Sequence, residues 1–238
     1  MEKSKKVKIT LGLFYLLVVS LFVYFLYSRF SLEDFNSLNI IQSNVDKLND
    51  IKKSNLFLIS FVFFIFTILW VIFLGFGTPI ALVGGFIFGK WLGTFLITIG
   101  LSTGALCLYM LGKYFFYDFL KNNFLIKFKY LEKMFNDKHL VVMIVFRFVG
   151  FVPFFIANLL PVIFNINIKN YYFGTFIGIM PSIFILSSLG SGLSDAIYQF
   201  EKFPSIISLI VLPEIYLPII GFLLIILSSL FIKKIIKK

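Results

Sequence analysis

The chain has 238 residues, a formal net charge of +11, 60% hydrophobic residues including 34 phenylalanines, and a mean hydropathy of +0.99. So much apolar surface cannot be kept from water in a soluble fold, which excludes a soluble enzyme and predicts an all-α polytopic membrane protein. The length allows about five to six crossings and no second folded domain. One histidine and one cysteine exclude a histidine-pair metal site and an intrachain disulfide.

Residues 1–55 read as a first transmembrane helix and a polar loop. Lys3, Lys5, Lys6 and Lys8 precede an apolar run at 9–28, which is too long for a signal h-region and lacks a small-x-small cleavage site, so it is expected to stay as a membrane helix. In the loop 29–55, Arg29, Lys47, Lys52 and Lys53 balance Glu33, Asp34, Asp46 and Asp50, a neutrality that suits the outer face.

Residues 54–89 carry no charge. That run exceeds one crossing of about 20 residues and falls short of two with a turn, so it is expected to hold a span at 56–76 and a re-entrant piece at 77–90. Thr78 and Pro79 have the order of an N-cap and a first helical residue, opening a half-helix whose free N–H groups suit an anionic head group. Gly84 and Gly85 are expected to supply the turn. A capped kink without a ligand is the alternative. A span at 91–112 follows, carrying Gly100 and Gly104, and then an amphipathic interfacial stretch at 113–138 rich in lysine. Counting crossings with 77–90 re-entrant puts that stretch outside, whereas its charge suits the inside; both remain open.

A helix at 139–151 leads into a second re-entrant piece at 152–168, interrupted by Pro153, Asn158 and Pro161, and then a span at 171–192. The two halves share a spacing: Pro79 precedes Gly100 and Gly104 by 21 and 25 residues, and Pro153 precedes Gly174 and Gly178 by the same 21 and 25. This predicts an internal repeat, a pattern that marks transporter-like sites at the repeat interface. The alternative is the ordinary abundance of glycine and proline in membrane helices. The two Gly-x3-Gly pairs permit close helix packing within the chain or, as an alternative, between copies in a homo-oligomer.

Arg147 is the one charge in 140–168. Held in apolar surroundings it costs several kcal/mol unless partnered. Carbonyls released by Pro153 and Pro161, the Asn158 amide, or a lipid phosphate are the expected partners; snorkelling to the interface is the alternative. Residues 193–238 hold a last span at about 213–232 and a basic tail, with Glu214 either a proton carrier or an interfacial residue. The lysine-rich ends are expected to place both termini in the cytoplasm of a multi-pass plasma (inner) membrane protein, and read as attraction to anionic lipid rather than nucleic acid, with solvated ends that fix orientation only as the alternative. No nucleophile elbow, phosphate-cradling loop or metalloprotease helix is present, so no catalysis, cofactor or metal is expected.

Taken together, Thr78-Pro79, the run from Gly84 to Gly89, Gly93, Gly100 and Gly104, then Arg147, Pro153-Phe154, Asn158, Phe173, Thr175, Gly178, Pro181 and Gly190 resemble the DedA-like, VTT-domain membrane proteins of the SNARE-associated Golgi type. The resemblance covers about 56–192. It implies two re-entrant hairpins that meet in the membrane and a role in moving or scrambling phospholipids or polyprenyl-phosphate lipids, with Arg147, Pro153 and Asn158 in the second hairpin and Pro79, Gly84 and Gly85 in the first. Gly150 stands where many members have proline, Pro161 falls near a usual glycine, and the first hairpin lacks the acid linked to proton coupling, which favours passive movement. The competing expectations are a proton-coupled solute or ion transporter using Glu214 and Arg147, and a non-transporting scaffold recruiting partners through 113–138.

Overall fold

In lipid every backbone N–H and C=O needs a partner within the protein, which helices supply locally. The computed structural model describes residues 38–73, 75–115, 117, 121–122, 139–149, 154–199, 211–213, 215–221, 223–224 and 227, and contains no strand among them. Helix α1 is Leu38–Ile72, α2 Gly77–Phe115, α3 His139–Val149, α4 Phe154–Leu159, followed by a 3-10 turn at Leu160–Val162, and α5 Ile168–Gln199. Residues 215–221 are also helical. Among the described residues three segments are long and apolar enough to cross a membrane, Asp50–Ile72, Gly77–Phe115 and Ile168–Ala196. The expected first span at 9–28, most of 113–138, Pro153 and Glu214 lie outside the described residues.

Two of these helices are broken. Helix α1 leaves helical geometry at Asn55 (φ −154°, ψ 57°), where the charged stretch with Asp50 and Lys52 gives way to the apolar one. In α2 the break is Gly89, at φ 77° and ψ 174°, a region essentially reserved for glycine. There the chain doubles back. A methyl group added to Gly93 would lie 2.8 Å from the Gly84 carbonyl oxygen, one on Gly84 would meet the Ile97 side chain, and one on Gly77 would touch Leu101 at 3.5 Å. The limb 77–88 therefore runs antiparallel to 93–101. The turn expected at Gly84 and Gly85 is thus corrected to Gly89: the glycine pair sits inside the short limb, buried, where its missing side chains admit neighbouring helices.

Between α1 and α2 the chain also reverses, closed by Gly75 N donating to Trp70 O at 2.8 Å and by the Trp70 indole donating to Phe76 O at 2.9 Å. Apolar burial gives helices little drive to associate in lipid, so close van der Waals approach takes over. Gly100 packs on Thr67 and Gly104 on Val71 and Ile68, which sets 90–115 alongside α1 and in the same direction. In the second half Gly174 packs on Met143 and Gly178 on Arg147 and Ile144, so α5 follows α3 in the same sense. All four glycines are buried within the chain, and these contacts use them without a second copy.

Helices α2 and α5 form the centre, the 90–115 limb of α2 running antiparallel to α5: Tyr109 stacks near Tyr171, while Gly85, packed beside Gly93, meets the main chain of Ser187. Between them lie Ile80, Ala81, Ile97, Leu101, Ala105, Met143 and Ile183, all buried. Outside, Phe57 (82% exposed), Phe61, Trp91 and Phe95 present apolar surface outward, as a lipid-facing wall does. Helix α3 has 11 residues, or about 16 Å, roughly half of a hydrocarbon core.

Candidate functional site

Arg147 lies in the last turn of α3 and is 7% exposed, so the snorkelling alternative does not describe it. Its stem fits because Gly178 leaves room, a methyl there falling 2.6 Å from the Arg147 Cβ. The head group turns to α5. Nε donates to Thr175 Oγ1 at 3.1 Å and Nη2 to the Tyr171 hydroxyl at 2.8 Å. Tyr171, Thr175 and Gly178 sit four and three residues apart, one face of a helix, so a single surface of α5 both admits and binds the arginine.

The Tyr171 hydroxyl carries this contact further. It lies 3.1 Å from the carbonyl oxygens of both Ala105 and Asn158, on α2 and α4 respectively. With one proton, the hydroxyl serves those two acceptors alternately or as a shared bond while accepting from the guanidinium. The Tyr109 ring stacks at 4.4 Å, and its hydroxyl donates to Ile166 O at 2.7 Å, fixing the turn before α5. Elements from both halves of the chain thus converge on one tyrosine.

The expected partners are only partly those found. Asn158 joins through its main-chain carbonyl, while its side-chain Oδ1 and Nδ2 are buried without a hydrogen bond among the described residues. Thr98 and Ser102, also buried with unbonded hydroxyls, share a face of α2 with Ala105 at spacings of four and three residues. A buried hydroxyl or amide without a bond costs about 1–3 kcal/mol, so this seam is primed for polar partners. Tyr171 and Thr175 do not stand out by composition, because an aromatic and a threonine in an apolar helix look like packing residues; their offset from Gly178 is the signal that links them to the arginine.

The remaining candidates lie elsewhere. Thr78 and Pro79 open the short limb and are exposed, with the helix starting at Gly77. Gly85 meets Ser187, and Gly190 meets Leu82 and Phe86. From Tyr171 to Ser187 is about 24 Å along α5 at 1.5 Å per residue, so the glycine crossing and the arginine network occupy opposite parts of one helix. Gly112 of α2 receives Leu159 and Val162 from the second half, just as Ser187 of α5 receives Gly85 from the first. The step from 85 to 159 is 74 residues, the step that also separates Pro79 from Pro153 and Gly100 from Gly174.

A cavity of about 340 Å³ lies beyond the glycine crossing, lined by Lys90, Phe184, Ser188, Ser191, Asp195 and Leu217 among others. It is separate from Arg147. Among the described residues no group of three or more histidine, cysteine, aspartate or glutamate side chains is placed to hold a metal.

Residues 75–192 match the family described as the VTT domain, the family that the sequence pattern resembles. No solved structure matches the chain.

Proposed function

The chain belongs to the VTT domain family through residues 75–192 and is membrane-embedded, and on that premise we propose that it moves phosphate-bearing lipids, anionic phospholipid or polyprenyl phosphate, between leaflets without making or breaking a bond. The single observation that carries the reading is Arg147: a buried guanidinium, hydrogen-bonded to hydroxyls, at the junction of both halves. Such a charge is expensive in hydrocarbon and marks a pathway by default.

On this reading the two halves are an inverted repeat, and each contributes a hairpin that does not cross. Supporting it, α1 ends at Ile72 beside Gly104, about 16 Å before α2 ends at Phe115, so 56–72 and 77–88 are the two limbs of the first hairpin. The second pairs α3 with α4. The glycine helices 90–115 and α5 are the full spans. Arg147 packs beside Gly178, ten residues or about 15 Å into α5, near the bilayer middle.

The arrangement described is the closed one. Tyr171 and Thr175 seal the guanidinium, so a head group reaches it only when α3 and α5 part. A phosphate then replaces the two hydroxyls with the bidentate geometry guanidinium favours, and the Tyr171 proton falls back on the Ala105 and Asn158 carbonyls. The unbonded groups of Asn158, Thr98 and Ser102 line the way. Acyl tails stay in the bilayer, and both basic termini face the cytoplasm. Purified protein in vesicles, with head-group-labelled lipid bleached from outside, tests this: label lost beyond the outer-leaflet share supports it, and loss equal to that of empty vesicles refutes it.

A further inference from the structure

Lys90 and Asp195 line the same cavity of about 340 Å³, yet among the described residues they form no ion pair. Two opposite charges share one hollow without neutralising each other. Serines 188 and 191 also border it, and Ser188, which spends its proton on Phe184 O at 2.7 Å, keeps its oxygen lone pairs available. Phe184, Ile185, Leu217 and Pro218 supply apolar walls.

The position of the hollow fixes what can reach it. Lys90 follows the Gly89 corner, and Lys52 reaches the Ile87 carbonyl at 3.0 Å, so lysines collect at this end of the bundle. Trp91 is 71% exposed and packs on Phe184 at 5.1 Å between ring centres. Exposed tryptophan beside lysine is the signature of head-group depth. An occupant must therefore be an amphiphile in the interface.

We infer that this cavity is a binding site for zwitterionic phospholipid, with the phosphate at Lys90, the ammonium at Asp195 and an acyl chain along Phe184 and Leu217. A purely anionic head group would face the Asp195 carboxylate, and a purely cationic one would face Lys90; only a ligand carrying both signs suits both walls. The volume lies within the usual range for small-molecule sites. The inference rests on the reading of this end of the bundle as interfacial and not on transport.

The test uses full-length protein carrying Trp70→Phe, which leaves Trp91 as the one tryptophan. It is placed in vesicles of equal phosphoethanolamine and phosphoglycerol lipid, with quenching bromines on the tails of one class or the other. Bulk composition is then identical in both arms. Trp91 is expected to be quenched as if the zwitterionic class were enriched roughly two- to fivefold, the factor an interfacial ion pair supplies. Asp195→Asn should bring the two arms to parity or favour phosphoglycerol, and the swap of Lys90→Asp with Asp195→Lys should restore the preference. Equal quenching with Asp195 intact overturns the inference on its own, as does a preference that survives Asp195→Asn. Enrichment without lipid movement would sink the transport reading and leave this site standing; movement without enrichment would do the reverse.

Discussion

Arg147 Nη2 lies 2.8 Å from the Tyr171 hydroxyl, and that hydroxyl lies 3.1 Å from main-chain carbonyls on both α2 and α4. One phenol therefore ties a buried cation to both halves of the molecule.

Replacing Tyr171 by phenylalanine keeps the ring stacked on Tyr109 and removes the proton. Hydrogen bonds between membrane helices are worth about 0.6–2 kcal/mol, and this one is charge-assisted, so a loss of roughly 1–2 kcal/mol is expected in reversible unfolding in detergent. Lipid movement should persist, since the guanidinium is left less tightly held.

Gly178→Leu should be among the most damaging changes, because its first carbon already falls 2.6 Å from the Arg147 Cβ and 2.7 Å from the Ile144 carbonyl. Overpacking of this kind costs typically about 1–3 kcal/mol. Gly77→Ala is the internal control: its methyl would touch only Leu101 at 3.5 Å, and its effect on thermal unfolding should be within about 0.5 kcal/mol.

Gly89→Ala tests the corner. The nearest atom to an added methyl is Ser191 Oγ at 4.0 Å, so there is space, but φ is 77°. The cost, about 1–3 kcal/mol, is expected from backbone strain alone. Ala and Ser should lower stability equally, whereas a packing effect would separate them.

Much of this was legible beforehand. Charge-free runs and glycine spacings mark the three membrane-length helices among the described residues, because hydropathy and close packing are local properties of the chain. The corner was misplaced at Gly84 and Gly85, since a glycine admitting a neighbouring helix and a glycine turning the chain look alike until φ is known. Arg147 stands out as a lone charge and Thr175 only as one position of the family pattern, while Tyr171 does not, because the polar role of both depends on which face of α5 meets α3. The Lys90 and Asp195 cavity depends on residues about a hundred positions apart, and no spacing rule reaches that far.

Cysteines placed one at a time in a Cys107→Ser background report how deep the first hairpin goes. Positions 53 and 90 should react with a membrane-impermeant reagent from one side and 113 from the other. Position 76, 65% exposed in the protein, should react from neither. Reaction at 76 from the side of 113 would mean that 56–76 is a complete crossing.

The central claim is that Arg147 handles the lipid phosphate in mid-bilayer. Arg147→Gln, measured beside Tyr171→Phe for label accessibility in reconstituted vesicles, addresses it most directly. The account predicts that Arg147→Gln slows lipid exchange at least tenfold, about 1.4 kcal/mol of lost phosphate stabilisation, while Tyr171→Phe exchanges at or above the unmodified rate. Equal, undiminished exchange in a folded Arg147→Gln protein would contradict it.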